Sequence, residues 1–229
     1  MLGSLAKLWN QVGPSDWLAR ITDVNDGIIA VAGIGLGLAG AEVSRSTSLA
    51  VVLISSVAGA LSTSATMLNE NLANRESEIA TATQEQRRLE HNPEEERAEL
   101  VDWFGARGVS RATAERVADE LSGSNALSVQ LELEYGIRDM MTRRDAWADG
   151  LWAGLAYLFG TLLPVLVVVI SPVHWRTEWI LALAAVSLTV TASVLARRGH
   201  SNVRMTILRS VTFGMATLIV SYFLGDWIM

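Results

Sequence analysis

The sequence predicts an all-α membrane protein: five transmembrane helices, with a helical cytoplasmic insertion between the second and the third. Three observations predict it. Five apolar stretches near membrane length occur in a chain of 229 residues, half of them hydrophobic. No strand pattern of any length interrupts the polar segment between the second and third stretches. The charge is also segregated. Residues 70–149 hold 18 of the 24 carboxylates but only 10 of the 18 Lys and Arg, a net −8, while the rest of the chain sums to +2. The −6 of the whole chain therefore belongs to one segment. The expected organisation is an N-terminal cytoplasmic segment (1–24), spans one and two (25–69), the acidic arm (70–149) and spans three to five (150–229).

Composition narrows the chemistry. The chain has no cysteine, which excludes disulfides, thiolate metal sites and Cys nucleophiles. Its three histidines, His91, His174 and His200, are too scattered for a zinc site. No Ser/His/Asp grouping is visible, so an enzyme is not expected. The first residues lack the apolar run of a signal peptide. They read as a short amphipathic helix with Leu2, Leu5, Leu8 and Trp9 on one side, lying on the membrane surface or packed on the bundle.

In chain order, residues 27–41 are free of charge, but 15 residues cover only about 22 Å of the roughly 30 Å hydrocarbon core. A spanning helix must therefore extend past Glu42 or back through Asn25 and Asp26. Asp26 is the better candidate, with Arg20 and Asp23 before it on the same helix side; the alternative is an interfacial cap on Gly27 and Ile28. Gly33 and Gly37 form a GxxxG pair, which predicts a helix-packing seam. Residues 46–69 form the second span, whose latter half is rich in hydroxyls: Ser62, Thr63, Ser64 and Thr66, followed by Met67. That stripe is either packing glue or the wall of a permeation path.

No Gly or Pro lies between Ala60 and Asn92, so one long helix is expected to run from membrane to arm. Pro93 stops it, with Asn92 as the next cap. Further arm helices end at Gly108 and Gly123, and the fourth, from about Asn125, can continue past Gly136 into the third span. The remaining spans are residues 150–173, interrupted by Pro164, then 179–196 and 210–225. Lys7, Arg20, the arm bases and Arg197, Arg198, Arg204 and Arg209 fall on one side; Arg45 and Arg176 fall on the other. The positive-inside rule then puts the N-terminus and arm in the cytoplasm and the C-terminus outside; a plasma membrane of bacterial type is expected ahead of an organelle membrane.

Glutamates recur on the arm at helical spacing. Glu78 and Glu85 share a face of the long helix, Glu95 or Glu96 stacks with Glu99, and Glu132 and Glu134 of the fourth helix point different ways. Oxygen ligands suit Mn²⁺, Fe²⁺, Mg²⁺ or Ca²⁺; the bland alternative is a solvated acidic surface. A di-iron oxidase would need Glu-x-x-His motifs, and the run Arg88-Leu89-Glu90-His91 is not one.

Those residues carry a resemblance. The order NDGIIAVAGIGLGLAGAE, AGALS, RRLEHNPEEERAELVDWFGARGVSRATAERVADEL, ELEYGIRD, GLAYLFGTLLP and RSVTFGMATLIVSYFLG resembles the vacuolar iron transporter family over nearly the whole chain. The resemblance implies a homodimer with the ion path between subunits, exporting Fe²⁺ or Mn²⁺ from the cytosol by proton antiport. It implies an arm site of Glu85, Glu96, Glu99 and Glu134, and Asp26 as the intramembrane acid. The partners implied are divalent ions, protons, the bilayer and a second copy, with no nucleic acid and no tightly bound cofactor.

Three positions depart from the family pattern. Arg88 stands where the family's EREEI motif has a carboxylate, Thr63 where a Met follows AGALS, and Ser55 where a Glu is expected. Arg88 thins the arm site, and Met67, one turn beyond Thr63, is the candidate substitute on the pathway. Two other function classes stay open: a membrane-anchored metal sensor that binds on the arm without transport, and a scaffold whose acidic arm docks a basic partner.

Overall fold

The computed structural model describes residues 14–123, 125–172 and 175–228, with side chains from residue 19 onward; the segment around Leu2, Leu5, Leu8 and Trp9, and His174, lie outside them. The described residues contain helices and no strand. In chain order they are α1 (Pro14–Gly40), α2 (Arg45–His91), α3 (Pro93–Ala106), α4 (Arg111–Leu121), α5 (Ala126–Tyr135), α6 (Arg143–Ile170), α7 (Arg176–Arg198) and α8 (Val203–Ile228). They fall into two compact units, Met1–Leu68 with Trp147–Met229, and Asn69–Ala146.

The first unit carries five helices long and apolar enough to cross a membrane: Ala19–Gly40 of α1, then α2, α6, α7 and α8. These fit an integral membrane protein. Its core joins Ala32 and Leu36 of α1, Val168 of α6, Ile180 and Ala184 of α7 and Leu218 of α8. Leu151, Phe159 and Leu166 of α6, and Phe213, Val220 and Phe223 of α8, are exposed. A soluble protein rarely leaves such faces bare; lipid accepts them.

The short charge-free run resolves in one direction. α1 extends back through Asp26 and ends at Gly40, while Glu42 lies beyond it in the turn to α2 with φ of 51°. Asp26 thus sits near the middle of a 27-residue helix and caps nothing. The GxxxG seam packs α1 on α8: a Cβ on Gly225 would collide with the backbone carbonyl of Gly37. Gly27 and Gly160 do the same for α1 and α6, each facing the other helix's backbone at Tyr157 and Val24. Only a missing side chain allows backbones to approach so closely.

The second unit is built from the far end of α2 with α3, α4 and α5. Leu100 and Val101 of α3 and Ala114 and Ala118 of α4 form its apolar core, and Arg97 Nε donates to Asp119 at 2.5 Å across the same helix pair. α2 runs unbroken for 47 residues and stops before Pro93, which occupies the first turn of α3. Asn92 makes no side-chain cap; its amide donates to Glu95 instead.

The fourth arm helix is shorter than expected. α5 does not continue past Gly136, which takes a left-handed φ of 70° and donates its N–H to the Glu132 carbonyl. The chain is irregular until α6 starts from a capping box, in which Asp145 N donates to Thr142 Oγ1 and Thr142 N to Asp145 Oδ2, both at 3.2 Å.

Candidate metal centre and intramembrane acid

Three helices of the arm converge on one group of acids. α2 supplies Glu85, α3 supplies Glu96 and Glu99 at a spacing of three, and α5 supplies Glu134. One carboxylate oxygen from each of Glu96, Glu99 and Glu134 lies within 4.8 Å of the other two. Glu85 stands beside Glu96 rather than in that triad, and both are buried. Glu78 is not part of the group: its Oε2 accepts the Met141 N–H at 3.2 Å. Glu132 turns away to Arg138, as its spacing from Glu134 requires.

Arg88 sits within the group. Its guanidinium pairs with Glu96 at 3.0 Å and with Glu85 and Glu99 at 3.4 Å. Gln130 Nε2 donates to Glu96 at 2.9 Å, and Tyr135 Oη to Glu85 at 3.4 Å. Neither Gln130 nor Tyr135 was marked by the sequence. Gln130 lies one turn before Glu134 on α5, so the i, i+4 relation was the available signal.

The group is electrostatically uneven. Burial pushes the Glu96 carboxyl above the usual carboxylate range, the neighbouring Glu85 adds to this, and the Gln130 hydrogen bond and Arg88 oppose it. Burial raises Glu134 too, helped by Glu99 and Glu96. Tyr135 is raised by burial and by Glu85. Of the three gathered acids Glu96 is buried while the side chains of Glu99 and Glu134 are exposed, so the group opens to solvent on one side. An all-oxygen donor set from three helices suits a divalent ion of the Mn²⁺, Fe²⁺, Mg²⁺ or Ca²⁺ kind.

In the membrane unit, Arg20 pairs with Asp23 at 3.0 Å and with Asp149 at 3.2 Å. Asp23 and Asp26 are neighbours on one helix side, as their spacing suggests, but they differ in burial. Residues three apart differ by about 60° around a helix, and here the edge of the packed face falls between them. Asp23 is buried, while Asp26 is exposed on the outer surface of the single chain. No hydrogen bond or ion pair reaches Asp26 among the described residues, although it lies close enough to Tyr157 of α6 to act on it. Beside it, Asn25 is buried and satisfied: its Oδ1 accepts from Ser187 at 3.1 Å and Thr191 at 3.3 Å on α7.

The hydroxyl stripe of α2 divides. Ser62 and Thr66 are exposed, with Ala58, Ala65 and Asn69 on the same side, whereas Thr63 and Met67 are half-buried. Ser64 packs against Gly154 of α6. Ser55 is half-buried and Ser56 returns its hydroxyl to the Val52 carbonyl at 2.7 Å.

The sequence profile described as the VIT family matches residues 18–226. A protein named "Vacuolar iron transporter" from Acanthamoeba castellanii is 30% identical over 207 residues, covering 90% of this chain and 76% of that protein. The chain belongs to the VIT family. The family match takes in both units and every candidate residue, from Asp26 in α1 to Glu134 in α5. Within this VIT-family chain, then, the arm acids come together on three helices, and an arginine stands among them.

Proposed function

We propose that this chain transports divalent transition-metal ions, Fe²⁺ or Mn²⁺, out of the cytosol in exchange for protons, as a homodimer. The observation that carries the reading is Asp26: an unpaired acid inside a membrane-length helix, on the open surface of the subunit. An ionised Asp at the centre of a spanning helix costs about 2.5–3.5 kcal/mol on insertion scales. A cation or a proton removes that cost, and a transport path supplies both. The hydroxyl-bearing side of α2, with Ser62 and Thr66, is also open on the single chain. A second copy that covers it and encloses an aqueous path satisfies both features, with Thr63 and Met67 at its edge. The relative's name adds iron as a substrate class.

The arm is read as a cytoplasmic collector that binds ions through Glu96, Glu99 and Glu134, with Glu85 behind them. The one-sided distribution of Arg supports this orientation, with the C-terminus on the far side of the bilayer. The same vector serves a cell surface or a storage compartment.

The test is flux. Purified protein in sealed liposomes should move Mn²⁺ and Fe²⁺ only when a pH gradient of the right sign is imposed, and metal entry should move protons the other way. Saturable binding with no flux under any gradient would replace the transporter with a sensor.

A further inference from the structure

We infer that Arg88 is the arm's resident cation: its guanidinium closes the Glu85, Glu96 and Glu99 cluster, and a divalent ion gains the site only by displacing it. The inference rests on the reading of the arm as a metal-binding unit and adds what controls its affinity. The geometry is specific. Arg88 issues from α2, yet two of its three carboxylate partners belong to α3, at 3.0 and 3.4 Å. Those two, Glu96 and Glu99, are also two of the three residues whose oxygens gather within 4.8 Å. Guanidinium and metal therefore claim the same two carboxylates, and both cannot hold them fully.

The charges explain why one cation is present and why it does not finish the task. Four carboxylates and one guanidinium sum to −3, and a divalent ion added with Arg88 still nearby would leave −1. Two buried oxygens in the cluster, Glu85 Oε1 and Gln130 Oε1, accept no hydrogen bond from an N–H or hydroxyl donor among the described residues, and Glu85 lies close enough to Glu96 for the two carboxyls to share a proton. Both side chains are fully buried, so the cluster keeps acceptor capacity that Arg88 does not fill. Arg88 also has somewhere to go. Its side chain is 37% exposed and borders an open groove of about 680 Å³, shared with Thr83, Gln84 and Asn92. Leaving the cluster moves the guanidinium into water, whereas Glu85 and Glu96 cannot follow.

Two consequences separate this from simple repulsion by a misplaced cation. The metal-free arm keeps α2 and α3 joined through Arg88, so it does not need metal to hold α3. Removing Arg88 weakens that junction and tightens metal binding at once, and the metal repairs what the arginine had supplied.

The experiment uses the full chain in detergent micelles, with Mn²⁺ as the probe, comparing the natural protein with Arg88→Gln and Arg88→Glu. Mn²⁺ affinity by titration calorimetry should rise about tenfold in Arg88→Gln and further in Arg88→Glu, which adds a ligand. Hydrogen exchange of α3 amides in EDTA should be faster in both variants than in the natural protein, and Mn²⁺ should restore protection in the variants. In the natural protein, α3 should exchange alike in EDTA and in sub-saturating Mn²⁺. Equal Mn²⁺ affinity in all three forms overturns the displacement and leaves the arm's metal role standing. No Mn²⁺ binding by any form overturns both. A natural α3 that is protected only by Mn²⁺ overturns the resident cation.

Discussion

The arm and the membrane unit treat their acids in opposite ways. Glu85 and Glu96 are buried, given a guanidinium, an amide and a phenol as partners, and held by three helices. Asp26 lies in a helix long and apolar enough to cross a membrane, and it is exposed on the surface of the chain. The difference teaches what each position is for. A partnered cluster can store charge and fold without help, because its repulsion is compensated locally. An unpartnered acid in an apolar helix is tolerable only when something outside the subunit completes it. Asp23 makes the contrast sharper: one turn away on the same helix, it is buried and compensated by Arg20 at 3.0 Å.

The comparison breaks most decisively at Asp26. Asp26→Asn keeps shape and hydrogen-bonding capacity but removes the titratable charge, so expression and oligomeric state should be retained while Mn²⁺ flux falls to the background of empty liposomes. Because Asp26 caps no helix, the cap cannot explain such a loss. Wild-type flux with an unchanged pH dependence in that variant would remove Asp26 from the path.

The arm variant should have a large effect on binding and a smaller one on flux. Glu96→Gln with Glu99→Gln removes two of the three gathered carboxylates, and Mn²⁺ affinity should fall about a hundredfold, since affinity at oxygen sites follows ligand charge. Flux at saturating Mn²⁺ should persist, because Asp26 is untouched. Unchanged affinity would reduce the arm acids to a solvated surface.

Acid should separate the two functions of the cluster. Glu96 and Glu134 have raised carboxyls in the folded arm, so the folded state binds protons more tightly than the unfolded chain. Their contribution to stability is fully present below the ordinary carboxylate pKa and is lost as pH rises through the raised folded values. The metal-free arm should therefore show higher exchange protection at about pH 5 than at about pH 8, after correction for intrinsic rates. Mn²⁺ affinity should run the other way, because the ion needs the deprotonated acids. Parallel trends would contradict the assignment of these two residues.

Much of this was legible in the sequence, and the exceptions have physical causes. Composition and length identified the five membrane-length helices, and the 15-residue charge-free run was short enough to require an acid inside α1. The four arm glutamates were grouped only through the family resemblance, since helical spacing by itself gives a face and not the partner it meets. Arg88 showed as a departure, whereas its place among Glu85, Glu96 and Glu99 depends on how α3 folds back after Pro93. Gln130 looked like an ordinary polar residue because nothing local marks an amide as buried. The end of α5 was missed because one Gly in a helical pattern is ambiguous until its φ is known.

Asn25 offers the finest division between structural and functional polarity in the membrane unit. It precedes Asp26 directly, yet α1 turns its side chain inward, where Ser187 and Thr191 of α7 donate to its Oδ1. Both donors to that oxygen belong to α7 of the same chain, so the Oδ1 atom needs neither a second copy nor an ion to be satisfied. Hydrogen bonds between membrane helices are worth about 0.6 kcal/mol on average and at most about 1.7 kcal/mol. Asn25→Ala should accordingly lower the thermal stability of the detergent-solubilised protein by that modest amount. Mn²⁺ flux and its pH dependence should stay near those of the natural protein, in contrast to Asp26→Asn. Loss of flux in Asn25→Ala without loss of stability would mean that the ion path runs along the α1–α7 side, and that the open face bearing Asp26 is not where transport occurs.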